Sequence, residues 1–459
     1  MIDRYKIDPT TVFRGVLILG FLVMLAANMP GHLSLDSVMQ LYEGRHHVRL
    51  TWAPAVYAVL LGFFDHIVPG TGLYLVASGA IAFGALLALR ELRPTMSWLG
   101  PLAALLAVLS PGLLIYQGIV WKDVLFANLA SAAFVLLAHT AKVWSRPGRP
   151  WLALIGLVLI FALAAQVRQN GLIAAGVAAI VMAWTARGGG WPATVGWSVG
   201  GLISVVLVSL SMGVLAQPLD AGPDAATHRG VRIVQHYDII GISAKAPTLD
   251  LTAIRAADPA AARVIRTQGA ALYSPERVDY LRLDPAVGLA LWSLPDEVVA
   301  RQWRDLILQH PLPYLAHRWD TFRWVFLTPE IDSCLPLYVG VAGPIERLVD
   351  LKIPEIIDPV DQHIYNYGTW FLDTPVFSHL SYALICALTA VLVLVRREPQ
   401  DVAMAGLMVA ALSFVASFFV ISIACDYRYL YFVDLAAVTG LIYLVIDPPI
   451  AALGFGRPK

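Results

Sequence analysis

Long apolar runs without charge constrain this chain more than any other feature. The stretches at about 193–216 and 402–423 contain no Asp, Glu, Lys or Arg. Crossing a hydrocarbon layer of ~30 Å takes roughly 20 helical residues. Inside a bilayer the backbone must satisfy its own hydrogen bonds, so such runs read as helices. Ten can be drawn, at about 12–29, 73–90, 97–117, 123–141, 151–166, 171–186, 193–216, 376–395, 402–423 and 428–446. Composition agrees: 58% of the 459 residues are hydrophobic and 14% are charged, where a soluble domain carries roughly 25% charged residues. Disordered, collagen-like and ordinary globular chains are excluded. Lys+Arg and Asp+Glu balance at 32 each, which gives no pull toward nucleic acid. Three cysteines are too few for a disulfide scaffold. The reading is an all-α polytopic membrane protein with about ten transmembrane helices.

Basic residues orient the spans. Arg4, Lys6 and Arg14 precede the first, Arg90 and Arg93 follow the second, and Lys142, Arg146 and Arg149 follow the fourth. Arg187 follows the sixth, Arg396 and Arg397 the eighth, and Arg457 and Lys459 end the chain. All fall on one side if both termini are cytoplasmic, which predicts a multi-pass protein of the inner (plasma) membrane. Residues 52–68 are apolar but carry Pro54 and Asp65-His66, and read as an outer-face interfacial or re-entrant helix. The first run, followed by Ala26-Ala27, also has the look of a signal peptide. The chain then divides into an N-terminal transmembrane region, 1–216, with a first outer loop at about 30–72. An outer segment follows at 217–375, helical in its periodicity and free of Asn-Gly hairpin signals, and C-terminal transmembrane helices occupy 376–459.

Ionisable groups near a bilayer are costly, so their placement is informative. Four segments bring polar groups to the outer side: Asp36, the Lys122-Asp123 turn, the Arg168-Gln169-Asn170-Gly171 turn, and Asp426-Tyr427-Arg428-Tyr429. The helices flanking Arg168 have about 16 residues, or roughly 24 Å at 1.5 Å per residue, less than the ~30 Å core. Arg168 should therefore lie below the outer surface, where a cation needs an anion or water. The plainer reading is an Arg snorkelling to headgroups, although Gln169 and Asn170 add hydrogen-bonding capacity that snorkelling does not require. Trp121 and Lys122 read also as interfacial anchors, Asp123 as a first-turn carboxylate, and Arg428 as a surface partner of Asp426. A lone loop Asp such as Asp36 reads as a helix cap, with either Ser34 or Asp36 capping a helix through Val38-Met39-Gln40-Leu41.

Among the histidines, His46-His47 point about 100° apart on a helix, and no recognised metal-ligand spacing appears. A protein-held metal or other cofactor is not indicated. Neither a Walker loop nor a GxSxG motif is present. Cys334 and Cys425 would face an oxidising compartment in a bacterial inner-membrane protein, either bridged or as separate thiols.

Together these features resemble the GT-C superfamily of membrane glycosyltransferases, which includes protein O-mannosyltransferases and aminoarabinose transferases. The resemblance rests on Leu35-Asp36-Ser37-Val38-Met39-Gln40 soon after the first helix and on the three polar turns. It implies a polyprenyl-phosphate sugar donor and a cell-surface glycan, lipid or protein acceptor. It also implies that Asp36 is the catalytic base, that Lys122, Arg168 and Arg428 hold the donor phosphate, and that Asp123, Gln169, Asn170 and Tyr429 bind substrate. Two departures stand out. Asp36-Ser37 replaces the paired acids of many members, and Leu50-Thr51-Trp52-Ala53-Pro54 replaces a His-Pro-Pro element.

Two other classes use similar parts. A lipid-linked glycan flippase or transporter would be expected to show related halves, and no internal repeat is visible. A glycan polymerase or ligase, also taking lipid-linked donors at the outer face, fits the same residues.

Overall fold

The computed structural model describes residues 8–218 and 229–449. Arg4, Lys6, Arg457 and Lys459, on which the expected orientation of the termini partly rests, lie outside them. In chain order the helices are α1 Pro9–Asn28, α2 Leu35–His46, α3 Ala55–Ile67, α4 Gly72–Leu92, α5 Leu99–Leu109, α6 Pro111–Leu114, α7 Lys122–Val143, α8 Trp151–Val167, α9 Leu172–Ala186 and α10 Gly190–Leu215. There follow α11 Arg229–Lys245, α12 Thr252–Ala257, α13 Pro259–Val264, α14 Pro285–Trp292, α15 Asp296–Gln309 and α16 Pro311–Leu327. The last are α17 Ile345–Leu351, α18 Pro359–Thr369, α19 His379–Leu394, α20 Pro399–Ile421 and α21 Tyr431–Ile446. Among the described residues, extended pairing is confined to isolated bridges. The chain is a helical, polytopic membrane protein.

Each of the ten expected segments falls on helix. By length and composition six stretches suffice to cross a membrane: Pro9–Asn28, Gly72–Leu92, Lys122–Val143, Leu172–Leu215, Pro399–Ile421 and Tyr427–Ile446. A seventh forms if Leu99–Leu109 and Pro111–Gly118, bent by 65°, count as one. Leu172–Leu215 holds both α9 and α10, expected as two spans, while α8 and α19 are apolar but shorter. Helix α3 has 13 residues, or ~20 Å at 1.5 Å each, which is too short to cross.

The contacts divide the chain into two compact units. One is drawn from Met1–Gly222, Leu337–Phe414 and Leu430–Lys459, the other from Pro223–Pro336 and Val415–Tyr429. The segment expected as one outer region, 217–375, is thus shared between them.

The first unit is organised by α7, of which most side chains are buried. Ala127, Ala130, Ala133 and Ala138 are fully buried, and small side chains of this kind let neighbouring helices approach closely. Phe126 fills the remaining width, stacked on Phe414 with ring centroids 4.9 Å apart and edge-on to Phe432 at 5.1 Å. The second unit has its own core of Tyr237, Ile239, Ile242, Ile265, Val287 and Val299. Within that core lies a charged cluster. Asp238 and Arg318 pair at 2.6 Å with neither side chain exposed, and Asp238 also accepts from Trp303 Nε1 at 2.6 Å. Asp238 lies 3.0 Å from His317 Nε2 as well. Desolvation holds the His317 imidazole below its ordinary pKa, against the pull of Asp238. The neutral ring can then donate from Nε2 to Asp238 and accept the Tyr273 hydroxyl at Nδ1, 2.9 Å away.

At the end of the first unit where α4, α7 and α21 finish and α20 begins, basic residues collect. Lys142 Nζ donates to the Glu91 carbonyl at 2.6 Å. Arg93 is buried and reaches Asp447 at 2.6 Å, Glu398 at 2.8 Å and Asp401 at 3.5 Å. Asp401, with no exposed surface, also takes Arg396 at 2.8 Å and the Tyr443 hydroxyl at 2.6 Å. Removing one partner of a buried charge pair typically costs about 3–5 kcal/mol, because the other charge is stranded. We therefore expect Asp401→Ala, which takes from Arg396 its carboxylate partner and from Arg93 one of three, to lower the thermal unfolding midpoint in detergent. An unchanged midpoint would show that Asp447 and Glu398 suffice for the two arginines.

Candidate active site

The N-terminal ends of α2 and α7 are built on one another. The chain leaves α1 at Asn28, whose amide donates to the Met24 and Leu114 carbonyls at 2.7 and 2.8 Å. It turns at Gly31, where φ is 116°, a conformation side chains rarely adopt. His32 then runs beside the segment preceding α7. Its N–H donates to the Gly118 carbonyl at 2.9 Å, and its carbonyl accepts from Val120 N–H at 3.0 Å. Two serines complete the seam: Ser34 Oγ accepts from Trp121 Nε1 at 2.9 Å, and Ser37 Oγ donates to the Val120 carbonyl at 2.6 Å. Asp36 stands between these serines, half-buried, and Lys122 opens α7 directly after the residues they bind.

The cap reading of Asp36 does not hold. Helix α2 starts at Leu35, so Ser34 occupies the N-cap and Asp36 the second helical position. Nor is Trp121 an anchor facing lipid: it is 1% exposed, because its indole N–H is spent on Ser34. Glu43, the other carboxylate of this stretch, accepts the backbone N–H of Leu50 and Thr51 at 2.8 and 2.6 Å. Burial raises its pKa, against those amides, and its role is to fold the loop back onto α2.

Arg168 joins the seam through Asp123. Its N–H donates to the Ala164 carbonyl at 3.2 Å, and its carbonyl accepts from Gly171 N–H at 2.8 Å, closing a tight turn between α8 and α9. A Cβ on Gly171 would come within 2.6 Å of the Ala164 oxygen and 2.9 Å of the Arg168 oxygen, so the turn has room only for glycine. The guanidinium pairs with Asp123 of the first turn of α7. The two residues are 8% and 2% exposed, which identifies the anion that a cation at this depth requires. Arg168 lies 5.6 Å over the Phe414 ring, and Lys122 Nζ lies 5.2 Å over the Trp52 ring. Asn170 is half-buried at the turn and Gln169 is exposed. Asp36, Lys122, Asp123 and Arg168 are thereby carried on one continuous set of contacts. Arg428 and Tyr429 belong to the second unit, where Arg428 bonds Asp426 at 3.3 Å and lies 5.6 Å from the Tyr429 ring centroid.

Sequence reasoning missed the polar scaffold behind these residues. Gln117 Nε2 donates to Asn128 Oδ1 at 2.8 Å and to the Tyr431 hydroxyl at 3.0 Å. Asn128 Nδ2 donates in turn to the Ser78 carbonyl at 3.0 Å. His379 Nδ1 lies 2.9 Å from Asp434 Oδ1, joining α19 to α21. An amide or carboxylate inside an apolar run is the signal that could have found them. His32 belongs to the same scaffold. Its Nδ1 accepts from Gly340 N–H at 3.0 Å, and its Nε2 meets Asn28 Oδ1 at 2.8 Å.

Burial lowers the His32 pKa from 6.5 to about 4, against the attraction of Asp361. A group whose folded pKa is depressed in this way takes its proton first in the unfolded chain. Stability should fall as pH drops below 6.5, by about 3 kcal/mol when pH 4 is reached. Unfolding midpoints of wild type and His32→Gln across that window test this; equal slopes would exclude it.

The Asp123–Arg168 pair yields a second prediction. Arg168→Ala strands a buried carboxylate and should destabilise by about 3–5 kcal/mol. Removing both charges, in Asp123→Ala with Arg168→Ala, should recover most of that loss. A double variant no more stable than the single one would show that the pair is not what holds Asp123.

No protein-family model matches the chain, and no curated protein matches it. Among solved structures it is similar to the archaeal oligosaccharyltransferase AglB from Archaeoglobus fulgidus, solved in complex with an inhibitory peptide and a dolichol-phosphate. The identity is 14% and the TM-score 0.40, over 97% of this chain and 52% of that one. The chain thus spans about half the length of that protein, and a likeness of this strength assigns no function.

Proposed function

We propose that this chain is a membrane glycosyltransferase of the GT-C type, which moves a sugar from a polyprenyl-phosphate donor to a glycan, lipid or protein acceptor at the outer face of the inner membrane. One observation carries the reading: the seam of hydrogen bonds that carries a half-buried carboxylate, Asp36, on the helix end adjoining Lys122 and the buried Asp123–Arg168 pair. The basic cluster at the far end of α7, around Arg93 and Lys142, supports an orientation with that end in the cytoplasm.

The parts suit the reaction. An acceptor hydroxyl or amine attacks the anomeric carbon, and the bond to the phosphate oxygen breaks. The Asp36 carboxylate takes the acceptor's proton as the new bond forms. The departing lipid phosphate gains negative charge, and charge-assisted bonds from Lys122 and the N–H groups of Arg168 stabilise it. Asp123 keeps Arg168 in place and offsets its charge until the donor arrives. Gln169 and Asn170, on the same turn, offer neutral hydrogen bonds to the sugar. A flippase would need cations for the phosphate but no carboxylate poised as a base, so the adjoining Asp36 favours transfer chemistry.

Asp36→Asn preserves shape and removes basicity. Turnover with a defined polyprenyl-phosphate sugar and acceptor should fall about 10²–10⁴-fold, while donor binding and folded yield persist. Near-normal turnover would move the base elsewhere. The Asp123→Ala, Arg168→Ala double variant separates phosphate binding from structure: with stability recovered, donor affinity should still be lost. Retained affinity would leave the pair with a structural role only. Surface glycans from a deletion strain that accumulate an undecorated acceptor would identify the product.

A further inference from the structure

Cys334 and Cys425 are distant in sequence and adjacent in the second unit. Both are fully buried. Cys425 is fixed by backbone pairing: its N–H donates to the Glu276 carbonyl at 2.9 Å, and Val278 N–H donates to the Ile423 carbonyl at 2.8 Å. Between those bonds Arg277 and Ala424 face each other as an antiparallel bridge. Cys334 ends the single helical turn Ile331–Cys334. Arg277 clamps the two segments together, with Nη2 3.3 Å from the Ser333 carbonyl and 2.9 Å from Asp426 Oδ1. Cys425 Sγ is 3.4 Å from the same Ser333 carbonyl, the peptide group that leads directly into Cys334. None of the backbone constraints involves sulfur, so the fold itself brings the Cys334 and Cys425 segments together.

We propose that Cys334 and Cys425 are oxidised to a disulfide in the mature protein. The bond would tie the 331–334 turn to the segment carrying Asp426 and Arg428. The oxidant is a protein disulfide of a thiol–disulfide exchange partner. One cysteine thiolate attacks that disulfide, giving a mixed disulfide, and the second thiolate displaces the partner. One S–S bond forms and one breaks, two electrons pass to the partner, and the two protons lost by the cysteines end on its thiols. The neighbouring Cys425 and burial hold the folded Cys334 thiol well above its ordinary pKa. Exchange therefore belongs to the chain before this part of the unit closes, when the thiolate is accessible. Such a bond persists only outside the reducing cytosol, so its presence would also put the second unit on the outer side. The inference does not depend on the sugar-transfer reading.

Thiol counting on the full-length protein tests it. Membranes are denatured in the presence of a maleimide-linked polyethylene glycol, with and without prior reduction, and adducts are counted on gels. The chain has three cysteines, the third being Cys386. Wild type should take one adduct unreduced and three after reduction. Cys334→Ser should take two in either condition. Three adducts on unreduced wild type would overturn the proposal. No adduct on unreduced Cys334→Ser would overturn it too, because the bond would then join Cys386 to Cys425.

Discussion

A polar group inside an apolar bundle has no solvent to fall back on, and the first unit is arranged around that requirement. The segment leading into α7 is its densest expression. Gly118 and Val120 bond to His32 through backbone, Trp121 and Val120 bond to Ser34 and Ser37 through side chains, and Gln117 reaches Asn128 and Tyr431. Each bond contributes only about 0.5–1.5 kcal/mol net, but leaving one unmade costs more than making it yields. The network therefore specifies position more than it adds stability. Helix α7 starts where it does because the residues before it are already committed to α1, α2 and α21.

Charge follows the same logic at both ends of α7. Around Arg93 three carboxylates and a second arginine, Arg396, pair with one another. At the other end Arg168 pairs with Asp123 and lies over the Phe414 ring.

Much of the architecture was legible because crossing a bilayer forces period and length on the sequence. The ten apolar runs all fall on helix, although six stretches are long enough to cross a membrane, and Arg168, expected to need an anion or water, pairs with one. The identity of that anion was hidden, since Asp123 and Arg168 meet only through tertiary packing of α7 and α8. The same is true of Ser34, Ser37 and Trp121, ordinary residue types whose value lies in partners far along the chain. The division of the chain was also illegible. Residues 337–375 read as continuous with the polar stretch before them, yet their bonds go elsewhere. Leu33 pairs with Val341, and Tyr338 donates to the Leu33 carbonyl at 3.0 Å.

The 65° bend between α5 and α6 has a further consequence. A straight helix uses its carbonyls internally, whereas a break at Ser110-Pro111 releases several at once. Asn28 of α1 donates to the Leu114 oxygen, Tyr367 of α18 to the Leu109 oxygen at 2.7 Å, and Tyr431 of α21 to the Gly112 oxygen at 2.6 Å. The break thus works as a buckle, where three helices from distant parts of the chain are strapped to exposed main chain. Side chains elsewhere in the buckle can drift over evolution, because its acceptors are peptide groups that no substitution can remove.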